Sequence, residues 1–167
     1  MDHPRIVNER DVEPKEQAPD GRGLNRKQLA RETGGEKLGC SLYVLDPEAA
    51  SWPYHYHTAN EEAIYVLEGR GTLHLAGSEV EIGPGDYVTF PANEDGAHRV
   101  VNTGDDALRY LCLSTMIEPD VTVYPDSETV GVFAGAPPGG RAEERTLGAF
   151  LRADADSEVD YWDPERE

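Results

Sequence analysis

The chain has 167 residues, 38% of them hydrophobic, which is enough for one domain with its own core and appended segments. Its 33 acidic against 15 basic residues give a formal net charge of −18, a surface that repels nucleic acid and anionic lipid and argues against a role at DNA or at a membrane. Only three of the basic residues (Lys15, Lys27 and Lys37) are lysine, and an acidic excess of this kind reads as halophilic adaptation of a cytoplasmic protein.

Residues 1–23 are polar and punctuated by Pro4, Pro14, Pro19, Gly21 and Gly23, so they read as an arm without a core of its own. Residues 1–9 lack the apolar run of a secretory signal, and no stretch is long and apolar enough to span a bilayer. Strand patterning begins at 38–45 and stops at Asp46-Pro47; residues 51–57 are the next strand expected. Residues 61–76 are long enough for two strands joined near Gly69 and Gly71, and Gly77-Ser78 turns the chain into a strand over 79–82. Gly83-Pro84-Gly85-Asp86 is the sharpest turn, feeding 87–91, and a loop over 92–97 leads into a strand that opens at His98. Residues 108–117 suit a buried strand, and 130–133 continue the apolar pattern before it breaks at 135–140. Residues 145–151 suit either a short helix or a strand. The acidic stretch 154–167 embeds Tyr161 and Trp162, aromatics that imply packing on the domain itself or on a partner subunit. No helical period competes in the middle of the chain, which makes the fold class all-β, and no internal repeat is evident. Ile64, Val66, Phe90, Val100, Leu111 and Leu113 read as core or cavity wall. Cys40 and Cys112 stand singly and read as reduced thiols.

The chemistry concentrates in His55, His57, Glu62 and His98. Side chains two apart on a strand share a face, so the His55-x-His57 pair can chelate. Glu62 opens the following strand and His98 opens a later one. Strand alternation turns Glu61 away from Glu62. Neutral imidazoles with one carboxylate suit a divalent transition metal (Fe, Mn, Ni, Co, Zn or Cu), and four protein ligands on an octahedral ion leave two positions for water, substrate or oxygen. Three imidazoles and a carboxylate facing one cavity are costly to bury without such a cation. His74 alternates with Leu73 and Leu75 and reads as a rim or solvent-facing residue.

The spacing His55-x-His57-x4-Glu62-x6-Gly69, followed by Gly85-x5-Pro91 and His98-x3-Asn102, resembles the two motifs of the cupin superfamily. The second motif here carries two extra residues between Pro91 and His98. The resemblance covers residues 38–117 through its motifs. It implies a jelly-roll β-barrel over residues 24–125, flanked by an N-terminal arm (1–23) and an acidic C-terminal extension (126–167). It also implies a metal held by His55, His57, Glu62 and His98, and a homodimer, for which exposed edge strands give a physical reason. Cupin chemistry includes dioxygenation, decarboxylation and isomerisation, so the expected function is a metalloenzyme acting on a small oxygen-bearing metabolite. The rival from another class is a non-catalytic small-metabolite-binding protein.

Overall fold

The computed structural model describes residues 3–17, 23–153 and 162. Among the described residues thirteen strands follow one another with little else between them. They are β1 (Lys15–Glu16), β2 (Leu24–Lys27), β3 (Gly39–Leu45), β4 (Tyr56–His57), β5 (Glu62–Glu68), β6 (Gly71–Leu75) and β7 (Ser78–Ile82), then β8 (Tyr87–Phe90), β9 (His98–Val101), β10 (Leu108–Ser114), β11 (Asp120–Tyr124), β12 (Thr129–Ala134) and β13 (Leu147–Arg152). The one α-helical turn among the described residues is Leu29–Glu32, and none of their helices is long and apolar enough to cross a membrane.

All pairings are antiparallel. They build a six-stranded sheet in the order β1-β2-β3-β10-β5-β8, a four-stranded sheet β13-β12-β11-β4, and a three-stranded sheet β7-β6-β9. The register of the large sheet explains where the core ends and the cavity begins. On its inner face Leu45 lies opposite Leu108, then Tyr43 beside Tyr110 and Val66, then Ser41 beside Cys112 and Ile64, and last Gly39 beside Ser114 and Glu62. The rows pass from apolar to polar along the strands. At the apolar end Leu45, Val66 and Leu108 are fully buried and pack with Leu73 and Val100 of the three-stranded sheet. Burying side chains of this size stabilises the fold by about 1.5–3 kcal/mol each relative to exposure. At the polar end the four-stranded sheet faces the large one across a cavity. Tyr43 and Tyr110 mark the transition, their rings stacked 5.4 Å apart.

Two expectations change. The strand expected over 51–57 contracts to Tyr56–His57, because the chain before it bends through Pro53, which has no N–H to give a ladder. Ser51 compensates: its N–H donates to the Val100 carbonyl (2.8 Å) and its hydroxyl accepts from Val100 N–H (3.0 Å). Leu111 and Leu113 lie on the face of β10 opposite Leu108, Tyr110 and Cys112, and are only half-buried, outside the core. The other core expectations stand: Ile64, Val66, Phe90 and Val100 are all buried.

Residues 145–151 resolve as the edge strand β13, paired with β12 from Thr129↔Arg152 to Ala134↔Leu147. In the N-terminal segment a 3-10 turn at Glu9–Asp11 is fastened to the large sheet by both carboxylate oxygens of Glu9 on Arg109 (2.8 Å each), and Val12 is buried beside it. The expected packing of the acidic tail over 154–167 falls outside the described residues, apart from Trp162.

Candidate metal centre

Three sheets each deliver a part of the site. His57 is the second residue of β4, and His55 precedes that strand in an isolated bridge with His98: His55 N–H donates to the His98 carbonyl (3.2 Å) and His98 N–H to that of His55 (2.9 Å). Glu62 shares the inner face of β5 with Ile64 and Val66. His98 opens β9 after the loop that is two residues longer than the cupin pattern. That loop is ordered by its own chemistry. Asn93 caps a 3-10 turn at Glu94–Gly96 by accepting Asp95 N–H (2.9 Å), and Gly96 folds so tightly on Pro91 that a Cβ there would overlap the Pro91 carbonyl.

Each imidazole is fixed through Nδ1. His55 Nδ1–H donates to the Pro53 carbonyl (2.7 Å), His98 Nδ1–H to the Gly96 carbonyl (2.9 Å), and His57 Nδ1–H to Asp120 Oδ2 (2.6 Å). A carbonyl or carboxylate oxygen only accepts, so all three rings keep Nε2 for the cavity. Ligand atoms of His55, Glu62 and His98 lie within 4.8 Å of one another. His57 stands beside this trio, its Nε2 3.5 Å from Glu62 Oε2, the same oxygen that lies 3.7 Å from His98 Nε2. Ring contacts hold the orientations: Phe90 stacks on His98 at 3.7 Å between centroids, and Tyr124 on His55 at 5.8 Å.

Asp120 is the supporting residue that sequence reasoning did not single out. It is fully buried, accepts Ala59 N–H through Oδ1 (3.0 Å) and the His57 ring through Oδ2, and lies beside Thr122, whose hydroxyl is 3.4 Å from Oδ2. Thr122 sits opposite His57 in the β11–β4 register, which places Asp120 within reach. Asn60, also buried, locks the turn into β5 by accepting Ile117 N–H (2.6 Å) and donating to the Ile117 carbonyl (2.9 Å). His74 is 40% exposed and faces Glu79 on the neighbouring strand, away from the centre.

The electrostatics suit a cation. Burial, reinforced by the neighbouring His98, holds the His55 imidazole neutral down to about 3, and burial also lowers His98. Burial works against a charge on His57 as well, but hydrogen bonds to Asp120 and Glu62 outweigh it and raise this ring to about 9. Glu62 loses stability by burial yet is held ionised down to about 2, chiefly by His57. Two neutral rings, one ring whose proton a metal can displace, and one anion are a donor set that fits a divalent transition metal.

These shifts carry a sign for the metal-free protein. An unfolded histidine takes a proton near its ordinary 6.5, which folded His55 refuses until about 3, so folding weakens as pH falls below 6.5. His57 has the opposite sense: its contribution is complete below 6.5 and is lost as pH rises through about 9. Glu62 contributes above its ordinary 4.5 and loses that only towards 2. Between pH 6.5 and 4.5, therefore, His55 and His98 are the members of the centre that act. The expected result is a melting temperature of chelator-treated protein that drops across this window, with a shallower drop in His55→Gln. Equal slopes in the two proteins would contradict the assignment.

The centre opens into a cavity of about 480 Å³ between the large and the four-stranded sheets, walled by Tyr43, Trp52 and Tyr110 among others. Trp52 Nε1–H donates to the Tyr43 hydroxyl (3.1 Å), which keeps that wall in place. Cys112 and Cys40 are free thiols, and burial pushes both up, which favours the protonated form.

Residues 41–114 match the Cupin domain family (Cupin_2). The crystal structure of a sugar phosphate isomerase of the cupin superfamily from Silicibacter pomeroyi superposes with a TM-score of 0.76 at 26% identity, covering 93% of this chain and 97% of that one. Bacillus subtilis quercetin 2,3-dioxygenase is 39% identical over 81 residues, 46% of this chain and 24% of the dioxygenase. An uncharacterized protein of Methanocaldococcus jannaschii is 37% identical over 71 residues, 42% of this chain and 55% of its own length. The chain thus spans about half or less of these two curated relatives. Sheet architecture, family match and structural likeness together place a cupin domain at residues 41–114 and support membership of the cupin superfamily.

Proposed function

We propose that the chain is a divalent-metal enzyme of isomerase type, acting on a small sugar-like hydroxycarbonyl compound, with His55, His57, Glu62 and His98 as the metal ligands. The observation that carries the choice is one of extent. The likeness to the sugar phosphate isomerase runs over 93% of this chain and 97% of that one, whereas the dioxygenase match takes in 24% of that enzyme. A bound ion would supply Lewis acidity to a substrate carbonyl. The chain's own residues do the rest. Glu62 offsets part of the ion's charge while the imidazoles leave the remainder to attract oxygen donors, and the stacked Tyr43–Tyr110 wall limits water around a bound molecule.

The test follows the conversion itself, since a metal-assisted isomerisation can move hydrogen between the two carbons either as a proton or as a hydride. Metal-loaded protein incubated with a panel of aldoses and ketoses, with and without phosphate esters, is expected to interconvert an aldose–ketose pair, observed by NMR. A chelator should abolish the conversion. Fully loaded protein that binds members of the panel yet converts none would move the assignment to a non-catalytic metabolite-binding protein.

A further inference from the structure

We infer that the cavity carries a phosphate-recognition pole built by Arg26 and Arg145, so that the substrate is a phosphomonoester whose remaining oxygens face the histidine–glutamate centre. The placement of these two arginines is unexpected in a chain of net charge −18. Several other arginines are matched to acids: Arg109 with Glu9 and Glu68, Arg141 with Glu144, and Arg31, which also lines the cavity, with Glu143. Arg26 and Arg145 have no carboxylate partner among the described residues. Arg26 donates Nε–H to the Ser41 hydroxyl (3.0 Å) and Nη2–H to the Gly139 carbonyl (3.4 Å), with its guanidinium carbon 5.6 Å from the centre of the Tyr43 ring. Arg145 donates to the carbonyls of Ala136 (3.3 Å) and Pro137 (3.2 Å) and lies over the Phe133 ring at 4.9 Å.

Both guanidinium groups therefore brace the same short loop, 136–140, and both line the cavity. Each has five N–H donors and uses two on the protein among the described residues, so that three remain on each. A guanidinium whose only partners are neutral keeps its full charge available, and with fewer acids around it a half-buried site is an anion site. The charge balance of the wall agrees. Three arginines (Arg26, Arg31, Arg145) line the cavity against two glutamates (Glu62, Glu143), a locally positive space within a strongly negative protein, before any metal is counted. Two planar forks bracing one loop on the same cavity offer more donors than a carboxylate's two oxygens can use; the three free oxygens of a phosphate monoester match them. Gly139 is part of the construction. It has a φ of +82°, and a Cβ there would stand 3.0 Å from Arg26 Nη2, crowding the guanidinium away from the loop.

The orientation of the substrate towards the histidines rests on the metal-centre reading above; the pole itself does not. Titration calorimetry of the full chain loaded with Zn2+ is expected to show binding of inorganic phosphate, weakened about tenfold or more in Arg26→Met and in Arg145→Met with zinc content unchanged. Gly139→Ala, which keeps every charge, should weaken phosphate as well, and it carries the test if an arginine variant loses its native circular dichroism. Phosphate binding equal in all variants would place the anion on the metal alone and overturn the pole. So would absence of binding at millimolar phosphate, or acetate bound as tightly as phosphate and equally sensitive to the substitutions. Should zinc fail to load, the metal-centre reading fails, and the same titrations on the metal-free chain still decide the pole.

Discussion

Replacing His55 and His98 together by alanine is expected to take bound metal from near-stoichiometric to background, as measured by elemental analysis of protein purified without added metal or a histidine tag. Both rings are buried, both are held neutral, and both present Nε2 to the same carboxylate region, so their loss removes two of the four donors and leaves His57 tied to Asp120. The effect should exceed the roughly 10- to 100-fold loss of affinity that follows removal of a residue behind a ligand. Folding should survive, because the reciprocal His55–His98 pairing is made by the backbone and does not need the rings. Native protein that stays metal-free after anaerobic reconstitution with divalent ions, or a double variant that keeps its metal, would end the metal-centre reading.

The second large effect is expected at Asp120. Asp120→Asn keeps the size of the side chain but puts an amide where a carboxylate accepted the His57 Nδ1 proton at 2.6 Å. If the amide N–H2 faces the ring, His57 must turn its unprotonated nitrogen towards residue 120 and its N–H towards Glu62, which is the wrong tautomer for a ligand. Metal affinity is expected to fall by about 10- to 100-fold, and the elevated proton affinity of His57 in the metal-free protein should fall with it. Asp120→Ala adds a stability loss of about 1–3 kcal/mol, because Ala59 N–H and the His57 ring lose a buried acceptor. Competition with a fluorescent chelator reads the affinity and NMR of the His57 ring reads the proton. Unchanged affinity in Asp120→Asn would leave Asp120 a purely structural group.

How much of this could be read from the chain follows from the range over which each signal acts. His55 and His57 are two apart, the spacing that lets side chains share a face, and Glu62 opens the next strand only five positions on. His98 is announced by the Gly-Pro-Gly-Asp turn and the strand after it. The strands from β5 to β9 were equally visible, since tight turns separate short apolar runs. Asp120 gave no such signal. It meets His57 across 63 positions, and only the Thr122↔His57 register brings it there. Arg26 and Arg145 are further apart still and are related by a loop whose glycines looked like a simple break in pattern. Leu111 and Leu113 differ from expectation for another reason: β10 alternates without a break from Leu108 to Ser114, but it is apolar on both faces, and such a run does not mark which parity turns inward. The bend over 51–55 was hidden because the chain there keeps its contacts through Ser51 while giving up the ladder.

The origin of the four candidate donors has a consequence for folding. His57 belongs to the four-stranded sheet, Glu62 to the six-stranded sheet and His98 to the three-stranded one, with His55 bridged to His98. An ion held by all of them would rivet three hydrogen-bonded ladders at a single point. Unfolding would then require its release, and the folded population would gain free energy as the logarithm of free metal, about 2.7 kcal/mol at a hundredfold excess over the dissociation constant. The durability of the molecule would be set by the metal content of its surroundings as well as by its own sequence.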